Sequence, residues 1–579
     1  MKAMRKLLTH MNPYAIFAIL GPLFMCIEVG MDLLQPTIMQ KMIDTGIANG
    51  DNGYIIKLGL IMIITTVIGL VGGVGSSIFA AKAAANFAAD IRREVYNKVG
   101  KFSNRNTDLF GAGKLITILT NDIATIQQAV IMTLRVFVRG PLLFIGSIVI
   151  VWITARELFP ILLVAIPILI ASIYFFSVKS GKLFLKVQMA MDKVNTKLQE
   201  MLSGIRVIKA FDRKEYEQEQ FRAVNNLLMK RSLTAEQLIF TLMPLMMFIV
   251  NLAIISGLWL GGIKLNEGTL QVGVILAFIN YLNIMMMGLL MSSTVLMLIA
   301  RAFSSAQRIT EVLDTEIDIT EAKKPYSNDD LLGEVEFRNV NFSYSKNGEY
   351  VLEDISFKAE AGQTIGIIGS TGSGKSTLVK LIPRLYDSDS GEILIDGVNI
   401  KEVPLAKLRQ AIGFVSQKAT LFSGTIESNL RFGKEDLTIA EMSQAAQKAA
   451  ASEFIDKLEN KFEHKLLQGA TNLSGGQKQR LSMARAFIRD PRILILDDAT
   501  SAIDALSETA VQQALKKDYA NTTVFIISSK VSSVIDADKI LVMEDGRVEA
   551  YGTHDELLVT SKVYRDIYDS QRGGGLIYE

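Results

Sequence analysis

At 579 residues the chain exceeds what one hydrophobic core supports, and at about 150 residues per soluble domain it would hold several. Hydrophobic residues make up 49% and charged residues 21%, with a mean hydropathy of +0.29, so part of the chain is expected to lie in lipid. Lys and Arg (61) nearly balance Asp and Glu (59), so net charge gives no sign of a nucleic-acid partner and none is expected, and the single Cys26 excludes an intramolecular disulfide.

Met1 to Thr9 carries Lys2, Arg5 and Lys6 with no short apolar core and small-residue cleavage site behind it, so the first apolar stretch is expected to remain as an anchor. Runs of roughly 20 apolar residues, the length that crosses a bilayer, occur at Tyr14 to Gln35, Ile55 to Ala80, Ala129 to Trp152, Leu158 to Val178, Ile239 to Gly262 and Val272 to Ile299. An even number of spans puts both termini on one side. The second and fourth connections carry Arg92, Arg93, Lys98, Lys101, Lys179, Lys182, Lys186, Arg206 and Lys209, whereas the other three are short and poor in Lys and Arg. The positive-inside rule then predicts a multi-pass protein of the cell membrane with cytoplasmic termini and cytoplasmic long loops.

Those loops are amphipathic, which predicts membrane helices that continue past the bilayer. Their turns, Asn104 to Lys114 and Arg206 to Glu217, mix Phe110, Phe211 and Tyr216 with charge and read as solvated tips or as docking elements. Glu28 and Asp32, four apart on one helix face, are too costly to face lipid. They read as a cation-attracting cavity, as partners of Arg135 or Arg139, or as residues near the membrane surface. Met243, Met246, Met247, Met285, Met286, Met287, Met291 and Met297 cluster in the last two spans, as adaptable pocket lining or as ordinary packing.

The pattern changes at Gly333. Val335 to Phe342 alternates like a strand, Thr364 to Ile368 reads as a buried strand, and Gly369-Ser370-Thr371-Gly372-Ser373-Gly374-Lys375-Ser376-Thr377 fits the phosphate-binding loop at every defined position. Its glycines let backbone N–H groups approach phosphates, Lys375 neutralises the outer phosphates, and Ser376 is placed to ligate Mg²⁺. A second buried strand, Ile493 to Leu496, ends in Asp497, which would hold the magnesium through water. Between them lies Leu473-Ser474-Gly475-Gly476-Gln477, followed by a helical stretch with Lys478, Arg480 and Arg485.

This order of motifs resembles the ATP-binding-cassette family, and the six preceding spans resemble its exporter branch. The expected fold is a multidomain membrane protein: an all-α six-helix transmembrane domain (1–320), a linker (321–332) and an α/β P-loop cassette (333–579). The resemblance implies ATP and Mg²⁺ as cofactors. It also implies Tyr344 stacked on adenine and Gln417 joining the magnesium site to the membrane helices. The two cytoplasmic turns would be coupling helices. The signature Ser474, Gly475, Gly476 and Gln477 would bind ATP held by a second subunit, with Ser501 to Asp504 crossing the dimer interface.

Two positions depart from the family pattern. Asp498 stands where a catalytic glutamate is usual, and one missing methylene moves the carboxylate by more than an ångström; catalysis in phosphoryl transfer rests on positioning and electrostatics. Ser529, followed by Lys530, stands where the family has a switch histidine and an arginine, and serine lacks imidazole's reach. Gln468 also stands near an expected glutamate before the signature. A slow ATP site on this chain, paired with an intact signature, predicts a heterodimer with a different half-transporter. The predicted function is ATP-driven export of hydrophobic or drug-like small molecules from the membrane lipid. A lipid or lipopeptide flippase and an ATP-gated channel or sensor are the alternatives.

Overall fold

A computed structural model describes residues 2–322, 326, 331–345 and 348–572, with backbone alone at 293, 294, 296, 297 and 572. The chain divides into two compact units, one of Met1–Gly100 with Ala112–Thr315 and one of Lys101–Gly111 with Glu316–Glu579. The short segment at 101–111, which the sequence places within the transmembrane domain, is therefore grouped with the second unit.

In chain order the helices include α1 (Ala15–Lys41), α2 (Asn52–Val99), α3 (Asn104–Phe110), α4 (Ile123–Thr154), α5 (Phe159–Ser203), α6 (Ile205–Ala210), α7 (Lys214–Asn266) and α8 (Val272–Asp314). Among the described residues, six helical segments are long and apolar enough to cross a membrane. In lipid every backbone N–H and C=O must be satisfied within the segment, which leaves a helix as the solution for each apolar run. With 48 residues rising 1.5 Å each, α2 is about 72 Å long, more than twice the roughly 30 Å hydrocarbon layer. The helices thus outrun the bilayer, as the amphipathic loops predict.

In the first unit α1 packs along α2, α4 along α8, and α5 along α7. Close crossings depend on missing side chains. A Cβ on Gly72 would lie 2.8 Å from the Glu28 backbone nitrogen, and one on Gly140 would lie 2.8 Å from the Gly288 carbonyl. Met25, Val29, Leu143, Met246, Phe278 and Met285 form the buried centre. Ile16, Leu60, Ile63, Leu163 and Trp259 point outward, as expected of helices whose solvent is lipid. The methionine cluster divides: Met246, Met285 and Met286 are buried, Met243, Met247 and Met287 are exposed, and Met297 falls outside the described side chains.

The second unit holds strands β1 (Val335–Phe342), β2 (Leu352–Ala359), β3 (Thr364–Gly369), β4 (Ser390–Ile395), β5 (Val398–Asn399), β6 (Ile412–Val415), β7 (Gly424–Thr425), β8 (Lys465–Leu466), β9 (Ile493–Asp497), β10 (Thr523–Ile527), β11 (Lys539–Glu544) and β12 (Arg547–Gly552). They build a four-stranded antiparallel sheet, β2-β1-β4-β5, a six-stranded sheet, β12-β11-β3-β10-β9-β6, and a β7-β8 pair. Only β12 runs antiparallel in the six-stranded sheet. β9 and β10 are buried at every position, the continuous apolar signature of a parallel sheet covered on both faces. The register sets Ile367, Ile527 and Asp497 side by side, so three loops emerge together from the carboxyl ends of β3, β10 and β9. Ligands of open α/β sheets bind at that edge.

Candidate nucleotide site

The loop after β3 leads into α9 (Lys375–Leu381). Gly369 has φ of 155° and Gly374 φ of 94°, in the region where side chains are disfavoured. A Cβ at Gly374 would also meet Leu352 at 2.7 Å. The Lys375 ammonium donates to the carbonyls of Gly369 (2.8 Å) and Ser370 (2.6 Å). Burial holds its pKa below the usual lysine value, while Asp498 and Asp497 pull it back up.

Ser376 Oγ donates to Asp497 Oδ1 at 2.6 Å. Burial pushes the Asp497 carboxyl above the ordinary range against the lowering effect of that hydrogen bond. The Gln417 amide, just past β6, donates to Asp498 Oδ2 at 3.2 Å. Asp498 follows β9 in the left-handed region at φ 50°, a conformation Asp tolerates better than most residues. Its backbone is fixed on both sides: its N–H donates to the Ile527 carbonyl at 3.0 Å, and its carbonyl accepts from Ser501 Oγ at 2.9 Å.

These groups line one cavity of about 310 Å³, into which Thr371, Gly372, Gly374, Lys375, Ser376, Thr377, Gln417, Asp497, Asp498 and Ser529 all contribute. Ser370 is bonded through its carbonyl, and Ser373 lies behind the lysine, 3.4 Å from its ammonium. Tyr344 is not among the lining residues; it is 39% exposed, with its hydroxyl 2.9 Å from Thr377 Oγ1, which does line the cavity, and its ring edge-on to Phe342 and Tyr386.

The signature is not among the residues lining this cavity. Ser474 caps α10 (Gly475–Phe487), its side chain accepting from the Gln477 N–H while the Gln477 side chain accepts from the Ser474 N–H. A Cβ at Gly476 would approach the Ala502 carbonyl at 2.8 Å, so the signature and the segment from Ser501 to Asp504 pack together. Asp504 caps α11 (Ala505–Asp518), and the Ser507 N–H it accepts holds its carboxyl below the usual range.

Two features escaped sequence reasoning. Gln571 in α12 (Lys562–Arg572) brackets the loop after β10, its Nε2 donating to the Ser529 carbonyl (2.8 Å) and its Oε1 accepting from the Val531 N–H (2.8 Å). Helix α3, capped by the reciprocal pair Ser103 and Asn106, is held in the second unit by Asp108, which accepts from the Tyr386 hydroxyl at 2.6 Å. Arg105 donates to the Ser343 carbonyl at 2.7 Å beside it. A serine three residues before an asparagine signals the cap, but nothing local signals these partners. The other turn, at α6, carries exposed Val207, Phe211 and Tyr216.

In the membrane half, Arg139 donates to both Glu28 (2.6 Å) and Asp32 (2.9 Å). Of the alternatives left open by the sequence, pairing with Arg139 is the one observed. Among the described residues Arg135 makes no ion pair.

Known proteins place this architecture. The ABC transporter transmembrane region family matches residues 18–289, and the ABC transporter family that carries the ATP-binding motifs matches residues 352–501. An uncharacterized ABC transporter ATP-binding protein of Bacillus subtilis, YfiB, is 40% identical over 98% of this chain and 99% of its own. One from Mycobacterium tuberculosis is 34% identical over 97% of each, and a putative multidrug export ATP-binding/permease protein of Bacillus subtilis, YgaD, is 32% identical over 99% of this chain and all of its own. A bacterial Atm1-family ABC exporter solved with ATP bound shares the fold, with a TM-score of 0.78 at 24% identity over 97% of this chain and 98% of that one. The chain belongs to the ABC transporter family, a membrane protein with its transmembrane region and ATP-binding domain fused in one polypeptide and the fold of an ABC exporter.

Proposed function

We propose that this chain is one subunit of a heterodimeric ABC exporter that uses ATP to move hydrophobic or drug-like molecules out of the membrane. Its own Walker motifs form a slow ATP site, while its signature serves the site of a different partner. The observation that carries this reading is the pairing of a complete phosphate cradle with Asp498 and Ser529 in one cavity. Residues that hold ATP are kept, and both positions that would act on the attacking water or sense the outer phosphate are shortened. Two copies of this chain would combine two weak sites.

The hydroxyl of Ser376, the carboxylate of Asp497 and the amide oxygen of Gln417 are hard oxygen donors, which suits Mg²⁺ held together with nucleotide phosphates. When bound, that ion would supply positive charge opposite the phosphate oxygens. Lys375 adds the fixed ammonium, and Tyr344 offers an aromatic face for adenine. The carboxyl-end location of all these groups on the sheet supports the assignment.

ATP binding would draw two cassettes together and bias the membrane helices between inward-open and outward-open packings, with α3 and α6 as the coupling elements and the cassette in the cytoplasm. The multidrug-export name given to YgaD supports drug-like cargo. A lipid flippase is the second reading, favoured by the polar group of Glu28, Asp32 and Arg139 inside an otherwise apolar span. ATP-dependent accumulation of a hydrophobic dye in inside-out vesicles holding the chain and its partner tests the reading. Accumulation abolished by Lys375→Ala in this chain is expected; dye that only equilibrates down its gradient when ATP is present would instead mark an ATP-gated channel.

A further inference from the structure

Between α1, α2 and α4 lies an open pocket of about 670 Å³, bordered by Glu28, Asp32, Gln35, Thr65, Thr66 and Arg135 and flanked by exposed apolar side chains of α2. Its volume is that of a small-molecule site. Glu28 and Asp32 lie inside the first apolar run, seven and three residues before its end at Gln35. Ionisable residues within a membrane span are functional-site candidates.

The charges in this cavity are not neutralised pair by pair. Two carboxylates share the single guanidinium of Arg139, which leaves one negative charge over. Glu28 Oε2 is buried without a hydrogen-bond partner, and so is Arg135 Nε. Arg135 lines the cavity and, among the described residues, has no carboxylate partner, which leaves one positive charge over. The Gln35 amide nitrogen is bonded to Thr65 (3.0 Å) and Thr66 (2.9 Å). A Cβ at Gly73 would lie 2.9 Å from Glu28 Oε2, so the bare α2 backbone is what makes room for the carboxylate.

A cationic ligand would satisfy the acids and leave Arg135 unpaired. An anionic one would satisfy Arg135 and leave the surplus carboxylate charge. We infer that the cavity binds a zwitterionic amphiphile, with its anionic group at Arg135, its cationic group at Glu28 and Asp32, and its apolar part against Met31, Leu70, Val74 and Ile78. An aminoalkyl phosphate headgroup of a lipid and the two ends of a short apolar peptide both carry that pair of charges. As a statement of what is transported, the inference rests on the exporter reading above; as a statement of what binds, it does not.

The test is equilibrium binding to the purified full-length complex in uncharged maltoside micelles, with four probes: lysophosphatidylethanolamine, lysophosphatidic acid, an alkylamine of matched chain length, and tri-leucine. The expected result is that a zwitterionic probe binds about tenfold more tightly than either singly charged one, the effect of one further satisfied charge. Preference for the lysolipid or for tri-leucine names the source. Arg135→Gln should bring the zwitterion level with the alkylamine, and Glu28→Gln should bring it level with lysophosphatidic acid, while Arg135→Lys keeps the preference. A thermal unfolding transition in detergent that matches the parent's shows that each variant is folded. Zwitterions that bind no better than singly charged probes, or variants that weaken all four alike, overturn the inference. Selective binding without ATP-driven movement would sink the exporter reading and leave the site standing; movement without selectivity does the reverse.

Discussion

The Gln417 amide donates to the Asp498 carboxylate across 3.2 Å, joining the loop after β6 to the residue that follows Asp497. An aspartate tied in this way presents its charge one methylene short of where a glutamate would. A misplacement of about 1 Å costs on the order of a hundredfold in a reaction governed by positioning. Asp498→Glu together with Ser529→His should therefore raise turnover at this chain's own site at least about tenfold. Asp498→Asn should lower the ATPase of the paired complex far less than removal of the partner's catalytic acid. Single-turnover ATP hydrolysis checks both, and equal losses from the two acids would remove the asymmetry from the account.

Lys375 is half-buried and bonded to carbonyls of its own loop. On the proposed reading its ammonium pairs with the nucleotide phosphates, so Lys375→Ala should weaken ATP binding at this site by about tenfold or more. Titration with a fluorescent ATP analogue measures it. Undiminished affinity would mean that the backbone N–H groups alone hold the phosphates.

Asp108 accepts from the Tyr386 hydroxyl at 2.6 Å. Asp108→Ala should cost about 1–3 kcal/mol of local stability and leave basal ATPase intact while abolishing its stimulation by substrate. Burial raises the Tyr386 pKa, and the Asp108 bond raises it further. Because the folded value is the higher one, this stabilisation is complete below the free phenol's pKa of about 10 and disappears as pH climbs through the folded value. Tyr386→Phe should accordingly gain on the parent protein in unfolding experiments only at strongly alkaline pH. A crossover near neutrality would contradict the burial argument.

Arg139 holds two carboxylates with its side chain 31% exposed, against 14% for Glu28 and 41% for Asp32. Arg139→Ala leaves both acids unpaired and should destabilise the membrane half by about 2–4 kcal/mol, read as lost thermal stability in detergent. The triple change Glu28→Gln, Asp32→Asn, Arg139→Gln should recover most of it. An Arg139→Ala variant as stable as the parent would show that the ion pairs contribute nothing.

Much of this was legible in the sequence because its causes are local. Apolar runs of bilayer length specify spans, and the glycine-rich stretch from Gly369 to Gly374 works only between a strand and a helix. The acid at Asp497 closes a wholly apolar strand and so marks the sheet edge. What stayed hidden depends on distant partners. Asp108 and Tyr386 are 278 residues apart, and Gln571 reaches Ser529 from 42 residues away. Whether Glu28 and Asp32 meet Arg135 or Arg139 turns on the crossing of α1 and α4, which no periodicity reports when every face of a helix is apolar. For the same reason the methionines could not be sorted into Met246, which is buried, and Met247, which is exposed.

On the proposed reading this chain's own ATP site is slow and a different subunit completes the motor. The direct measurement is the ATPase rate of the chain purified alone, compared with the rate of the chain co-purified with its candidate partner half-transporter at equal protein. The account predicts activity only in the pair. Full activity of the chain alone would show that Asp498 suffices as the catalytic acid, and that the protein is a homodimeric pump.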